Sequence, residues 1–226
     1  NPKLSIHTRL TLHGSFILIA VGFLGLLFAE MTNPSTLGPM NMATKLMNSL
    51  FMSVSGRTAG FNTIDFTSVS DESSLLVSIM MLIGGGSAST AGGIKVTTIA
   101  VLFLAFLAQV RRDAETTAYD RTITSDTVLE SGAIALSMVA LFLMGTFALL
   151  FATNQSLTQV IFEAASATGT TGMSMGITTG LGEGGQIVLT LLMLIGRLGP
   201  LTLGAALAFR ASKRRYRLPE SRPFVG

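Results

Sequence analysis

Two stretches of the chain repeat each other at a fixed offset of 112 residues, and each places a Thr-x-Gly turn ahead of a long apolar segment. The first copy covers residues 58–62 (TAGFN) and leads to Gly84. The second covers residues 170–174 (TTGMS) and leads to Gly196. The spacing between the turn and the later glycine is the same in both. A duplicated glycine turn before a membrane-length helix is typical of a re-entrant loop.

The composition indicates a membrane protein. The 226 residues are 49% hydrophobic and only 12% charged, whereas a soluble domain carries about 25% charged residues. Most of the chain should therefore face lipid or other apolar helices. The chain contains no cysteine, which excludes disulfide bonds and thiolate metal sites. His7 and His13 are better interpreted as interfacial polar residues than as a metal site.

Apolar runs and breaks predict an all-α membrane protein of two helix–pore-loop–helix repeats, with residues 1–113 as the first repeat and 114–226 as the second. In each repeat a spanning helix is followed by a helix too short to cross a bilayer, a polar turn and a second spanning helix. The predicted spanning segments are residues 10–29, 71–83 continued by 94–110, 129–151 and 186–209; the short helices are residues 41–54 and 157–167.

Basic residues cluster in three regions that should all face the cytoplasm under the positive-inside rule. These are the N-terminal edge, the stretch between the repeats and the C-terminal tail of residues 213–226. The predicted location is the plasma or inner membrane, crossed several times, with both termini cytoplasmic. A nucleic-acid partner is disfavoured, since topology explains the basic residues. No acidic residue is expected inside the apolar cores.

The polar turns predict a cation site. Non-helical backbone at membrane depth is tolerated only inside protein or along a water-filled cavity. A short helix that ends at such a turn directs partial negative charge inward, and the carbonyl oxygens that follow can replace water around an ion. Glycine permits the backbone angles that this turn needs. The alternative is that both stretches are ordinary extracellular loops.

A second break interrupts the later helix of the first repeat and predicts an intramembrane gate. Five glycines at about 1 kcal/mol each will not stay helical. The alternative is a packing seam of small residues between helices. The run consists of Gly84, Gly85, Gly86, Ser87, Ala88, Ser89, Thr90, Ala91, Gly92 and Gly93.

Three basic residues lie near these breaks. Arg197 falls within an apolar helix, where a charge needs a partner or water. We expect it to donate to carbonyls of the gate loop, hold that loop closed and repel cations. Lys95 is expected to extend toward the cytoplasmic edge. Arg57 either donates to carbonyls near the first turn or faces the outer vestibule, and Asn62 is a candidate brace of that turn.

These motifs together resemble a known family. RTAGFNT at residues 57–63, GGGSASTAGGIK at 84–95 and IGRLGP at 195–200 are similar to the Trk/Ktr/HKT superfamily of potassium transporters, most of all to the membrane subunit of the bacterial Ktr type. The resemblance covers essentially the whole chain. Family members have four such repeats around a pseudo-fourfold pore, and the two here resemble repeats three and four.

The resemblance implies a selectivity filter with one glycine from each repeat, gated by the intramembrane loop with Arg197. It implies that backbone carbonyls of Thr58, Ala59, Thr170 and Thr171 coordinate K⁺. The implied filter residues are Thr58, Ala59, Gly60, Phe61, Asn62, Thr170, Thr171, Gly172 and Met173.

The function implied is passive translocation of K⁺ across the membrane, with Na⁺ as a candidate stimulating ion, no bound cofactor and no enzymatic activity. The implied partners are an N-terminal half of the same transporter, a second membrane subunit in a homodimer and a cytoplasmic nucleotide-binding regulatory ring, all in a lipid bilayer. The chain would then be half of a longer protein. Two alternatives remain, a non-conducting membrane scaffold and an ion-coupled secondary transporter with broken helices.

Overall fold

A computed structural model describes residues 4–86 and 91–209, with side chains up to residue 199. Helices dominate, and a short hairpin and a single 3-10 turn (Thr178–Gly180) complete the regular structure of this part of the chain. The helices are α1 (Ile6–Glu30), α2 (Met42–Ser55), α3 (Asp71–Leu82), α4 (Val96–Arg111), α5 (Ser125–Ala152), α6 (Leu157–Gly169) and α7 (Glu183–Phe209); the strands are β1 (Thr116–Ala118) and β2 (Arg121–Ile123).

Polar side chains fix where most helices begin. In five of them the residue before the first turn accepts a hydrogen bond from the backbone N–H three positions later, which satisfies one of the free donors of the helix end. On α6 the cap is reciprocal, because the side chain of Gln159 also accepts from the backbone of Ser156. The capping residues are Ser5, Asn41, Ser70, Thr124 and Ser156.

The predicted helices are present, and their ends shift by a few residues at most. Within the described residues, α1 and α5 are long and apolar enough to cross a bilayer, with mean hydropathy of 2.2 and 2.4 in their most apolar windows. Helix α4 is shorter but apolar, and α7 has 27 residues. Helices α2 and α6, with 14 and 13 residues, fall well short of the roughly 20 residues that a crossing needs.

The two repeats pack against each other through α3 and α6. Met81 on α3 is completely buried, and a Cβ added to Gly169 at the end of α6 would overlap its carbonyl oxygen. Above this contact, Phe66 and Phe162 stack at 5.0 Å between ring centroids. The close approach holds the C-terminal ends of α3 and α6 in a fixed relation.

The linker between the repeats contains an antiparallel hairpin, so the protein is mostly helical rather than all-α as predicted. Strands β1 and β2 pair Thr116 with Ile123, and the turn residues Tyr119 and Asp120 have positive φ angles of 49° and 62°. Tyr119 reaches back to α1, where its hydroxyl lies 3.1 Å from Nδ1 of His13. The described residues contain no cluster of His, Cys, Asp or Glu suited to a metal ion.

Candidate cation site

Both Thr-x-Gly turns hold the threonine and the glycine at positive φ. The φ angles are 72° at Thr58 and 81° at Gly60 in the first copy, and 54° at Thr170 and 93° at Gly172 in the second. A threonine in the left-handed region is unusual, since its branched side chain crowds the backbone at a cost of about 1–2 kcal/mol. Two copies of this uncommon feature, each within three residues of the end of a short helix, indicate a specific use for this backbone.

The structure brings the two turns into direct contact. A Cβ added to Gly60 would overlap the carbonyl oxygen of Thr171 and lie 3.7 Å from Cα of Gly172. A Cβ on Gly172 would instead meet no described atom within 4 Å. One glycine therefore faces the neighbouring turn, and the equivalent face of the other is open.

Neutral hydrogen bonds hold the first turn. The N–H groups of Ala59 and Gly60 donate to the carbonyl of Ser55 at 3.0 and 3.2 Å, while the Ser55 hydroxyl donates to the carbonyl of Phe61. The Phe61 side chain is 68% exposed. Asn62 donates to the carbonyl of Ile64 at 3.3 Å, so its amide braces the chain just beyond the turn.

The second turn is held from α6 and is more buried. The N–H of Thr171 donates to the carbonyl of Ser166 at 2.9 Å, and that of Gly172 donates to the Ser166 hydroxyl at 3.2 Å. Met173, the counterpart of Phe61, is only 3% exposed. The buried hydroxyl of Thr171 has no hydrogen-bond partner among the described residues, whereas Ala59 at the matching position has no hydroxyl.

A buried carboxylate on α6 supports the segment after the second turn, and sequence analysis missed it. Glu163 is 4% exposed and accepts hydrogen bonds from Ser174, from the backbone N–H of Met175 and from Thr178. The expectation that the apolar cores hold no acid is therefore wrong. An acidic residue nine positions before Gly172, inside a short apolar helix, was the available signal.

A second buried carboxylate, Glu30, lies at the C-terminal end of α1. Glu30 has no exposed surface and accepts from Asn33 at 2.7 Å, Ser70 at 2.9 Å and Ser73 at 2.5 Å, and also from Thr36. These donors join the loop after α1 to the start of α3. Glu30 thus organises the loop after α1 and the start of α3 rather than either turn.

The predicted gate loop is closed at its base and touches the second turn. Backbone bonds from Gly84 to Ile94 and from Ile94 to Leu82, both 2.8 Å, join the two sides of the break. Farther along, the N–H of Gly92 donates to the Thr170 hydroxyl at 3.1 Å. The helix break is thus real and lies beside the site. Ser87, Ala88, Ser89 and Thr90 of the predicted gate lie outside the described residues.

Two basic residues flank the predicted gate loop, Lys95 at its end and Arg197 on α7. Lys95 donates to the carbonyl of Ala91 inside the loop, so it contacts the gate, and its extension toward the cytoplasmic edge stays a prediction. Arg197 is exposed on α7 and close enough to Lys95 for the two cations to repel each other. In the part of the chain with described side chains Arg197 makes no hydrogen bond, so its bond to the loop stays a prediction.

Arg57 links the first turn to α1 and to the gate loop. Its guanidinium donates to the carbonyl and hydroxyl of Ser15 at 3.3 and 3.2 Å and, at 3.5 Å, to the carbonyl of Gly84 at the base of the loop. Of the two roles considered for Arg57, donation to nearby carbonyls is the one observed. The side chain beside the first turn therefore contacts two other elements, α1 and the base of the gate loop.

Comparison with known proteins identifies relatives over nearly the whole chain. Residues 2–214 match the family model of TrkH, described as a cation transport protein. The chain is 36% identical over 222 residues to Ktr system potassium uptake protein B of Bacillus subtilis, covering 98% of this chain and 50% of that protein. It is 37% identical to the protein of the same name from Vibrio alginolyticus, covering 99% of this chain and 49% of the relative.

The fold also matches a solved structure. The potassium transporter TrkH from Vibrio parahaemolyticus superimposes with a TM-score of 0.69 at 22% sequence identity, covering 91% of this chain and 44% of the transporter. The chain spans about half the length of the curated relatives that it matches.

Proposed function

This chain belongs to the TrkH family of cation transport proteins, and from that premise we propose that it forms part of a membrane pathway for K⁺. The Thr-x-Gly turns are the selectivity filter, and the loop at residues 84–93 is the gate. The chain carries a monovalent cation down its gradient rather than catalysing a reaction. Each repeat supplies one helix–turn–helix unit to this pathway.

The contact between the two turns carries the proposal. Helix α6 ends directly before the second turn, and α2 ends three residues before Thr58; the aligned peptide dipoles place about half a negative charge at each C-terminus. Carbonyls of Thr58, Ala59, Thr170 and Thr171 follow directly and serve as the K⁺ ligands. A dehydrated monovalent cation is stabilised by such oxygens without a formal negative charge.

The open face of Gly172 indicates where the rest of the filter would lie. Thr171 lies against Gly60. A further turn that lay against Gly172 in the same way would continue the ring of turns around a central axis. The relatives are about twice as long as this chain, so we propose that an N-terminal half of the same transporter supplies the two further turns. A homodimer and a cytoplasmic nucleotide-binding ring complete the proposed assembly, with both termini cytoplasmic and Na⁺ as a candidate stimulator.

The gate acts by position and charge. The loop is tied at its base by backbone bonds and contacts Thr170, so it lies directly beside the proposed filter. Lys95 holds the loop through Ala91, and Arg197 adds a second positive charge that opposes the passage of cations. Movement of the loop and these charges would open the pathway.

The proposal is tested by replacing Gly60 with serine in the assembled transporter and measuring K⁺ uptake in cells that lack other K⁺ uptake systems. We expect loss of uptake or a shift toward Na⁺, because the new side chain meets the carbonyl of Thr171. Unchanged uptake and ion preference would indicate the alternative of a non-conducting scaffold. The same measurement with Gly172→Ser examines the second turn.

Ion-coupled transport is a second candidate because two buried carboxylates, Glu30 and Glu163, have no cationic partner among the described residues. Such groups carry protons in many transporters. Measuring the reversal potential under a pH gradient at fixed K⁺ separates the two. A potential that follows only the K⁺ gradient supports the channel-like pathway, and one that follows pH supports coupling.

A further inference from the structure

We propose that Glu163 is a positioning residue that sets the ion selectivity of the second turn. This inference rests on the proposed function of the turns as a filter. Glu163 does not contact the ion; it holds the segment that follows Gly172, and through that segment it fixes the position of the Thr171 carbonyl.

Both carboxylate oxygens of Glu163 accept hydrogen bonds. Oε1 accepts from the Ser174 hydroxyl and, at 3.1 Å, from the N–H of Met175, while Oε2 accepts from the Thr178 hydroxyl at 3.1 Å. The Ser174 and Thr178 hydroxyls also lie 2.9 Å apart. All three donors belong to the segment that begins two residues after Gly172. The carboxyl group of Glu163 therefore ties this segment to α6 through three donors.

The first repeat has no equivalent of this support. Phe51 stands at the position of Glu163, and its side chain is 44% exposed. The segment after Gly60 is held by neutral contacts, including the Ser55 bond to Phe61 and a bond of 3.4 Å from the N–H of Thr63 to the sulfur of Met52. Both turns therefore hold a threonine and a glycine at positive φ, but among the described residues only the second is followed by a segment held by a buried carboxyl side chain.

A displacement at Met175 reaches the filter because only two residues separate it from Gly172. Functional geometry has to be held within about 0.5 Å by supporting residues, and selectivity for K⁺ over Na⁺ depends on where the carbonyl oxygens stand. A shorter side chain at position 163 would pull the segment toward α6 or lose its bonds. Either change moves the Thr171 carbonyl.

The experiment compares Glu163→Asp, Glu163→Gln and Glu30→Asp in the assembled transporter, reconstituted in proteoliposomes, by the K⁺/Na⁺ permeability ratio. Glu163→Asp keeps the charge but loses reach, and we expect the ratio to fall about tenfold. Glu163→Gln keeps the length, and its amide can still accept from Met175 and donate to Thr178. We expect its ratio to stay within about threefold of wild type.

Glu30→Asp is the matched control, since it shortens the other buried carboxylate, whose partners lie in the outer loops. Its permeability ratio should equal that of wild type. The inference is overturned if Glu163→Asp leaves the ratio unchanged, if Glu163→Gln lowers it as much as Glu163→Asp, or if Glu30→Asp lowers it equally. The second outcome would show that charge matters rather than reach.

A double variant decides the matter if Glu163→Asp does not assemble. Ser174→Ala with Thr178→Val removes two donors and leaves Glu163 in place, and the ratio should fall in the same direction by about threefold; an unchanged ratio overturns the inference. Failure of the proposed function gives a different result, in which wild type shows no selective flux or Gly172→Ser changes nothing.

Discussion

The two repeats share one backbone turn but support it with different side chains. The first turn is flanked by Arg57, while the segment after the second turn is held by the buried carboxyl group of Glu163. Each repeat also has one arginine near its turn, but at a different position. The first repeat has Arg57 where the second has Gly169, and the second has Arg197 where the first has Gly85. The duplicated feature is thus the glycine turn, and its surroundings have become specific to each repeat.

The largest effects should come from replacing each turn glycine by alanine. Gly60→Ala places a Cβ on the carbonyl of Thr171, and we expect K⁺ uptake to fall about 100-fold. Gly172→Ala meets no described atom, but the proposed turn of the N-terminal half would stand against it as Thr171 stands against Gly60, so we expect a similar loss. Left-handed strain alone, about 1–2 kcal/mol, would lower uptake only about tenfold. Uptake by cells under limiting K⁺ measures both.

Gly180→Ala is the control for these variants, since its Cβ would also meet nothing within 4 Å and its φ is not positive. It should transport like wild type. A loss of only about tenfold for Gly172→Ala would contradict the proposed turn on the open face of Gly172, whereas equal losses for Gly60→Ala and Gly172→Ala support it.

The arginine of the second repeat, Arg197, should reduce K⁺ flux. Arg197→Ala removes one of two neighbouring positive charges beside the gate, and we expect K⁺ flux in proteoliposomes to rise about tenfold. Arg197→Lys keeps the charge and should raise flux far less. No increase in Arg197→Ala would remove this residue from the gate.

The arginine of the first repeat should act through its contacts. Arg57→Lys keeps the positive charge but loses the planar fork that reaches Ser15 and Gly84, and we expect flux to change about threefold. Arg112→Lys, at an exposed arginine beyond the end of α4, is the control. If both variants show the K⁺ flux of wild type, the hydrogen bonds from Arg57 to α1 and to the loop do not influence transport.

The smallest effect on transport should come from the outer loops. Glu30→Gln replaces one acceptor oxygen by a donor amide that faces either Asn33 and Thr36 or Ser70 and Ser73, and we expect the free energy of unfolding to fall by about 1–3 kcal/mol. The midpoint of thermal unfolding in detergent reports this loss. The K⁺/Na⁺ permeability ratio of the same variant should stay unchanged, and a change would show that the outer loops influence the filter.

Local sequence patterns predicted the features that depend on nearby residues. Apolar length predicted the helices, and the run of glycines predicted the break between α3 and α4, because both are properties of one segment. The glycine turns were recognisable because they occur twice. Their conformation follows from the demand for positive φ at Gly60 and Gly172.

Features that depend on distant contacts were missed. The burial of Glu163 arises because a segment of the chain eleven or more residues later folds back over α6, and composition does not reveal this. The side chain of Lys95 lies toward the gate loop because the carbonyl of Ala91, four residues earlier, is within hydrogen-bond distance. The hairpin at Thr116–Ala118 and Arg121–Ile123 lies in a polar linker whose short strands give little periodic signal.

The hydrogen bond from Gly92 to Thr170 has a consequence for regulation. Gly92 belongs to the loop that interrupts one repeat, and Thr170 belongs to the turn of the other. Any regulator that displaces this loop must break or stretch its hydrogen bond to Thr170, whose carbonyl is a proposed K⁺ ligand. Opening the pathway and altering which ion passes would then be a single event, and an open transporter would discriminate between ions differently from a closed one.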